Sequence, residues 1–245
     1  MSPTSAPDGR IVRRVRGRED AAPPRRWPFT MPAVRQVLTD GLDLGAGVTV
    51  LVGENGSGKS TLLESIATAY GLNPEGGSLQ TRHSTRSTEG DLAEWLVLER
   101  GPRRPRWAYF LRAETMHGLY TYLEERPGRT PETRYHELSH GESFLAVLRE
   151  KFADPGFFCM DEPEAALSFR STIALIAELD RLRREGSQVV VATHSPLLAA
   201  LPGATLVELG DHGARRVAYE DLELVASWRG FLDAPERYLR HLVHG

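Results

Sequence analysis

Nine residues, Gly53 to Thr61 (GENGSGKST), constrain this chain more than any others. They join an apolar, β-branched run, GVTVLVG at 47–53, to a helical run that starts at Thr61 and stops at Gly71. A buried strand that empties through glycines into a helix presents bare backbone amides and the positive end of the helix dipole to one point, which makes it an anion site. Side chains would obstruct that wrap, which accounts for Gly53, Gly56 and Gly58, with Glu54, Asn55 and Ser57 completing the turn. Lys59 then supplies a point charge for the β- and γ-phosphates, Ser60 a hydroxyl for Mg²⁺, and Thr61 leads into the helix. Only two lysines occur, Lys59 and Lys151, amid abundant arginine, so a lysine inside this loop is not background.

The second anchor is FFCMDEPE, Phe157 to Glu164. Four apolar residues end abruptly in acids, as expected where a central strand leaves an open α/β sheet at its ligand-binding edge. Asp161 is the candidate to hold Mg²⁺ opposite Ser60, and Glu162 the candidate general base for an attacking water. Pro163 turns the chain out of the strand.

The last hundred residues alternate helix and strand: helix 142–152, strand 156–160, helix 168–185, strand 188–194, helix 195–201, strand 204–209. That rhythm predicts a mainly parallel sheet covered by helices on both faces. Upstream, IVRRVRG at 11–17 is expected as an edge strand, and EWLVLER and RWAYFLRAE as a strand pair around Gly101-Pro102. Residues 72–91 lack apolar periodicity and are expected as a mobile loop, and ETMHGLYTYLEE as a short amphipathic helix. The tail 237–245 is expected as an amphipathic packing helix. No linker divides the chain, so 1–245 is expected as one domain. Its parts are N-terminal strands and connector (1–46), phosphate-loop unit (47–71), inserted lobe (72–137), catalytic core (138–209), and C-terminal strand and helices (210–245).

Composition narrows the setting. A net charge of −3 over 245 residues gives no global pull toward nucleic acid. Arginines cluster at 13–18, 25–26, 103–106 and 181–184, but Glu19, Asp20, Glu178 and Asp180 stand among them to neutralise the charge. Cys159 is the sole cysteine and sits mid-strand, so burial is expected, no internal disulfide can form, and the cytoplasm is the expected compartment. No apolar run approaches the roughly 20 residues that span a bilayer.

Two further strings make a family resemblance specific. LSHGES, Leu138 to Ser143, resembles the signature motif of ABC-type ATPases, and ATHSP, Ala192 to Pro196, resembles their switch-histidine segment. With the Walker A string GENGSGKST and the Walker B string MDEP, all four stand in the family's order. The wording is similar to that of small stand-alone bacterial AAA/ABC ATPases near the RecF and SMC-like branch. The implied fold is a P-loop NTPase of ABC type: a mainly parallel sheet flanked by helices, a small antiparallel β lobe and a helical signature subregion.

The implied chemistry is hydrolysis of ATP with Mg²⁺ by a homodimer. Ser139, Gly141 and Glu142 of one copy would face the γ-phosphate held by the other, while His194 would orient the water beside Glu162. The chain departs from the family pattern at His140, where glycine is usual, at Glu142, where glutamine is usual, and at Ser168, where aspartate is usual. Glu114 is the stand-in for the absent metal-sensing glutamine, and Trp27 or Phe29 is the candidate adenine partner. DNA or an unidentified protein is the expected further partner, in DNA repair or defence. The competing functions are the ATP-binding subunit of a transporter and a P-loop phosphotransferase, which would leave LSHGES and THSP without a role.

Overall fold

The computed structural model describes residues 9–20, 22–74, 76–78, 90–105, 107–112 and 140–243. Within them the strands are β1 (Val12–Gly17), β2 (Leu42–Asp43), β3 (Val48–Val52), β4 (Gly77–Ser78), β5 (Leu96–Arg100), β6 (Trp107–Arg112), β7 (Gly156–Asp161), β8 (Gln188–Thr193), β9 (Thr205–Gly210) and β10 (Gly213–Arg216). The helices are α1 (Pro32–Asp40), α2 (Lys59–Tyr70), α3 (Gly90–Trp95), α4 (His140–Lys151), α5 (Phe169–Arg184), α6 (Pro196–Ala199), α7 (Glu223–Asp233) and α8 (Pro235–Val243).

The main sheet runs β10-β9-β3-β8-β7-β6-β4. Its five inner strands are parallel, and β10 and β4 close the edges antiparallel. Inner strands are buried on both faces, which is why they are uninterrupted apolar runs rather than alternating ones. The two-residue period of a strand then divides them. Leu51, Phe157, Cys159, Val190 and Ala192 point to a core shared with α1, α2 and the small sheet. Val50, Phe158, Met160, Val189 and Val191 point to a second core roofed by α4, α5, α6 and α7. Cys159 is fully buried, and burial pushes its thiol far above the ordinary cysteine range, so it packs rather than reacts.

The small antiparallel sheet has the order β2-β1-β5. Two expectations change here. Strand β1 is the middle strand, not an edge, because β5 and β2 both pair with it. Strands β5 and β6 do not pair with each other: β5 joins β1 in the lobe, and β6 lies parallel to β7 in the main sheet. The apolar content of β6 decides this, since Ala108, Phe110 and Leu111 are all buried and need cover on two sides. Part of the stretch expected as a loop is ordered, with β4 pairing β6 and α3 leading into β5. The helix expected at ETMHGLYTYLEE, and Glu114, lie outside the described residues.

Gln188 fastens the two sheets together. Its Oε1 accepts from the amides of Ile11 and Val12 at 2.9 and 2.8 Å, and its Nε2 donates to the carbonyls of Val12 and Gly45 at 2.8 and 2.7 Å. The three bonds to Ile11 and Val12 are buried, so each prevents a desolvation cost of about 1–3 kcal/mol, and the bond to Gly45 is part-buried. The acids among the arginine clusters also do what the sequence implies: Arg16–Glu19, Arg18–Asp20, Arg181–Glu178 and Arg183–Asp180 form ion pairs at 2.5–3.1 Å. The C-terminal helix is amphipathic as expected, yet Tyr238 and Leu239 on it are exposed.

Candidate functional site

Strand β3 lies between β9 and the central strand β8 of the main sheet, with β7 on the far side of β8. Thr193 is level with Val52, and Asp161 with Ala192, so the exits of β3, β7 and β8 open side by side at one sheet edge. That is where an open parallel sheet gathers ligand-binding groups.

From β3 the chain enters Gly53 at φ 156°, where an added Cβ would lie 2.2 Å from the Leu209 carbonyl oxygen of β9. Glycine is therefore needed at Gly53 for close approach to a neighbouring strand, as well as for an open loop. Gly58 takes the left-handed conformation, φ 97°, and starts α2. Its missing side chain leaves room for Met31 and Val34 of the preceding segment. The Ser57 amide bonds the Glu54 carbonyl at 3.2 Å, closing the turn, while Ser57 Oγ is buried without a hydrogen-bond partner among the described residues. An orphaned hydroxyl in a glycine-lined cradle fits a polar ligand such as a phosphate.

Lys59 begins α2 and is only 4% exposed. Its Nζ donates to the Glu54 carbonyl at 2.8 Å, folding the ammonium over the loop. Burial lowers its affinity for a proton, and the charges of Glu162, Asp161 and Glu164 oppose that shift. The lysine from the β3 exit and the acids from the β7 exit thus share one field. Ser60, which follows Lys59 on α2, is partly exposed, and Thr61 on the same helix is buried.

On the acidic side, Glu162 is the one described non-glycine residue with positive φ, 46°. Its amide donates to the Ala192 carbonyl of β8 at 2.9 Å, which holds the turn in that conformation. The turn carries the Glu162 carboxylate to His194, whose Nε2 lies 3.3 Å from Oε1. Burial, and next the Lys59 charge, lower the His194 pKa, while Glu162 pulls the other way. The ring therefore favours its neutral form, with one nitrogen available to accept.

Two contributors were not singled out from the sequence. Glu164 is the third acid of DEPE, and its Oε1 accepts from the Thr193 hydroxyl and from the His194 amide. The signal was in plain view, an extra carboxylate after Pro163, but its partners lie on another strand. Arg112, in register with Asp161 on β6, is paired to buried Glu64 of α2 at 2.8 Å and donates to the Pro74 carbonyl.

The adenine candidates separate. Phe29 is buried edge-on against Trp95 at 5.8 Å and is core packing, whereas Trp27 is 51% exposed. Ser168 acts locally, as the N-cap of α5, where its Oγ accepts from the Ser171 amide at 3.3 Å. Gly141 and Glu142 fall in the first turn of α4, while Ser139 lies outside the described residues.

A glycine cradle, a buried lysine and acids at the neighbouring strand exits define a P-loop nucleotide-binding fold, and similarity to known proteins agrees. Two family models match, "AAA domain" over residues 35–93 and "AAA domain, putative AbiEii toxin, Type IV TA system" over 121–200. The chain is 32% identical over 175 residues to the arabinose import ATP-binding protein AraG of Pseudomonas syringae pv. tomato, covering 60% of this chain and 33% of that one. It is 31% identical over 202 residues to the macrolide export ATP-binding/permease protein MacB 1/2 of Paracoccus denitrificans, covering 73% and 30%. The chain thus spans about a third of the length of the curated relatives it matches. The SMC head domain from Thermotoga maritima superposes with a TM-score of 0.44 at 16% identity over 72% of this chain and 92% of that one, too loose a likeness to build on. The chain belongs to the AAA/ABC class of P-loop ATPase domains.

Proposed function

We propose that this chain binds ATP with Mg²⁺, hydrolyses it, and closes as a homodimer around two nucleotides, with residues 1–245 acting as one ATPase domain. The reading rests chiefly on one observation: Lys59 shares its electrostatic surroundings with Asp161, Glu162 and Glu164, while Glu162 stands 3.3 Å from His194. The amides of Gly53 to Thr61 and the Lys59 ammonium hold the triphosphate. Ser60 and Asp161 hold Mg²⁺, which supplies charge neutralisation on the phosphate oxygens when bound. Glu162 takes the proton of the attacking water, and His194 contacts the γ-phosphate and orients that water. Ser139, Gly141 and Glu142 of the second copy cap the same phosphate, and Glu114 senses the metal. Exposed Trp27 precedes the Met31 that packs at Gly58, which favours it over Phe29 as the adenine partner.

The Glu162→Gln variant tests this reading. It is expected to bind ATP, to hydrolyse it about 10²- to 10⁴-fold more slowly, and to elute as a dimer only with ATP. A monomer at high protein and ATP concentration contradicts the paired site. The motif wording favours a cytoplasmic switch in DNA maintenance or defence, with DNA or a protein as partner. The import and export proteins among the relatives favour a second reading, the ATP-binding subunit of a transporter. No described helix is long and apolar enough to cross a membrane, so in that reading another polypeptide or segment provides the span.

A further inference from the structure

The exits of β7 and β8 are tied together by one side chain that the hydrolytic scheme above does not use. Glu164 leaves the β7 turn and reaches across to β8, where Oε1 accepts from both the Thr193 hydroxyl and the His194 backbone amide. Thr193 Oγ1 passes the connection on by accepting from the Ser195 amide at 2.9 Å, and Ser195 caps α6 through the Leu198 amide. Three consecutive residues, Thr193, His194 and Ser195, are thus pinned to a single carboxyl group. The His194 ring itself meets Glu162 through Nε2 at 3.3 Å, while its backbone is what the Glu164 carboxyl holds.

We propose that Glu164 is a positioning residue for hydrolysis: by clamping the Thr193–Ser195 backbone to the β7 turn, it sets the His194 imidazole against Glu162. The backbone around His194 lacks the intrinsic rigidity of a strand, because β8 ends at Thr193 and α6 starts only at Pro196. Without the clamp, these linker residues could swing, and misplacement of a catalytic group by about 1 Å costs around 10²-fold in rate. The second oxygen, Oε2, is buried with no hydrogen-bond partner among the described residues. Burial accordingly pushes the Glu164 carboxyl above the usual range, with the Thr193 and His194 bonds opposing it. A carboxamide keeps the acceptor that the clamp uses: its oxygen can accept both bonds, and its nitrogen takes the position of Oε2.

This chemistry separates Glu164 from a general acid or base, which a carboxamide could not replace. The proposal rests on the ATPase reading for its kinetic consequence but not for its geometry, so two measurements are paired. In the nucleotide-free protein, NMR of the His194 ring is expected to show shifted or broadened signals in Glu164→Ala and near wild-type signals in Glu164→Gln, with core methyl signals unchanged in both. In the hydrolysis assay, Glu164→Ala is expected to lower kcat about 10- to 100-fold with KM for Mg-ATP within about threefold, and Glu164→Gln to restore most of it. His194 signals unmoved in Glu164→Ala, or Glu164→Gln as impaired as Glu164→Ala, overturn the clamp. A wild-type chain that does not hydrolyse ATP sinks the ATPase reading instead, and the ring signals still decide the clamp.

Discussion

The two sides of the site are built by opposite means. At the β3 exit, recognition comes from the backbone: glycines clear the way, amides converge, and the lysine is held by a carbonyl five residues back. At the β7 and β8 exits, side chains carry everything, and each is placed by a residue from a neighbouring strand or its exit turn. Glu162 is held through Ala192, His194 through Glu164, and the Asp161 register is set by its strand neighbours. A phosphate cradle can be written into nine contiguous residues, whereas a proton-transfer pair has to be assembled by the fold.

The largest effect expected from breaking that division is at Lys59. Lys59→Ala removes the one cationic side chain of the Gly53–Thr61 loop and should weaken ATP binding roughly 10- to 100-fold, since charge-assisted bonds contribute about 1.5–3 kcal/mol. Calorimetric titration checks it, and unchanged affinity would remove Lys59 from the site.

That asymmetry explains what could be read in advance. The strand, loop and helix from 47 to 71 were legible because glycine positions and apolar runs are local signals. The parallel core from 142 to 209 was legible for the same reason, its helices and strands each carrying their own period. Two strand assignments failed where local pattern is silent. Nothing in IVRRVRG says that it has neighbours on both sides, and the turn at Gly101-Pro102 suggests a hairpin although β5 and β6 part into different sheets. Glu164 escaped notice because its meaning lies in Thr193 and His194, 29 and 30 residues away.

The two sides also differ in how they use positive φ, which sharpens the comparison. Gly53→Ala places a Cβ 2.2 Å from the Leu209 oxygen and should destabilise the fold by about 1–3 kcal/mol. Glu162→Gly relaxes a left-handed turn that costs a side-chain-bearing residue about 1–2 kcal/mol, less the entropy glycine regains when unfolded. Its melting temperature should match or slightly exceed that of the wild type, although turnover is lost. Thermal denaturation of both variants checks the pair, and a Glu162→Gly protein that melts well below wild type contradicts the idea of a turn strained for function.

The smallest effect concerns His194. Burial depresses its pKa below the ordinary value of 6.5, so the folded chain binds that proton less readily than the unfolded chain. The associated stability is complete above 6.5 and is lost as pH falls through the lower folded value. Between about pH 8 and about pH 5, wild type should therefore lose slightly more stability than His194→Gln. Parallel melting curves for the two proteins would show that the ring is not held neutral by its surroundings.

A crystal structure of the Glu162→Gln chain with Mg-ATP bears most directly on the claim that the two sides form one site. The triphosphate is expected within the amides of residues 53–61, with Lys59 released from the Glu54 carbonyl to the phosphates and Asp161 and His194 within reach of the γ end. A nucleotide bound elsewhere, or a triphosphate contacting the loop while Asp161 and His194 stay remote from it, would contradict the account.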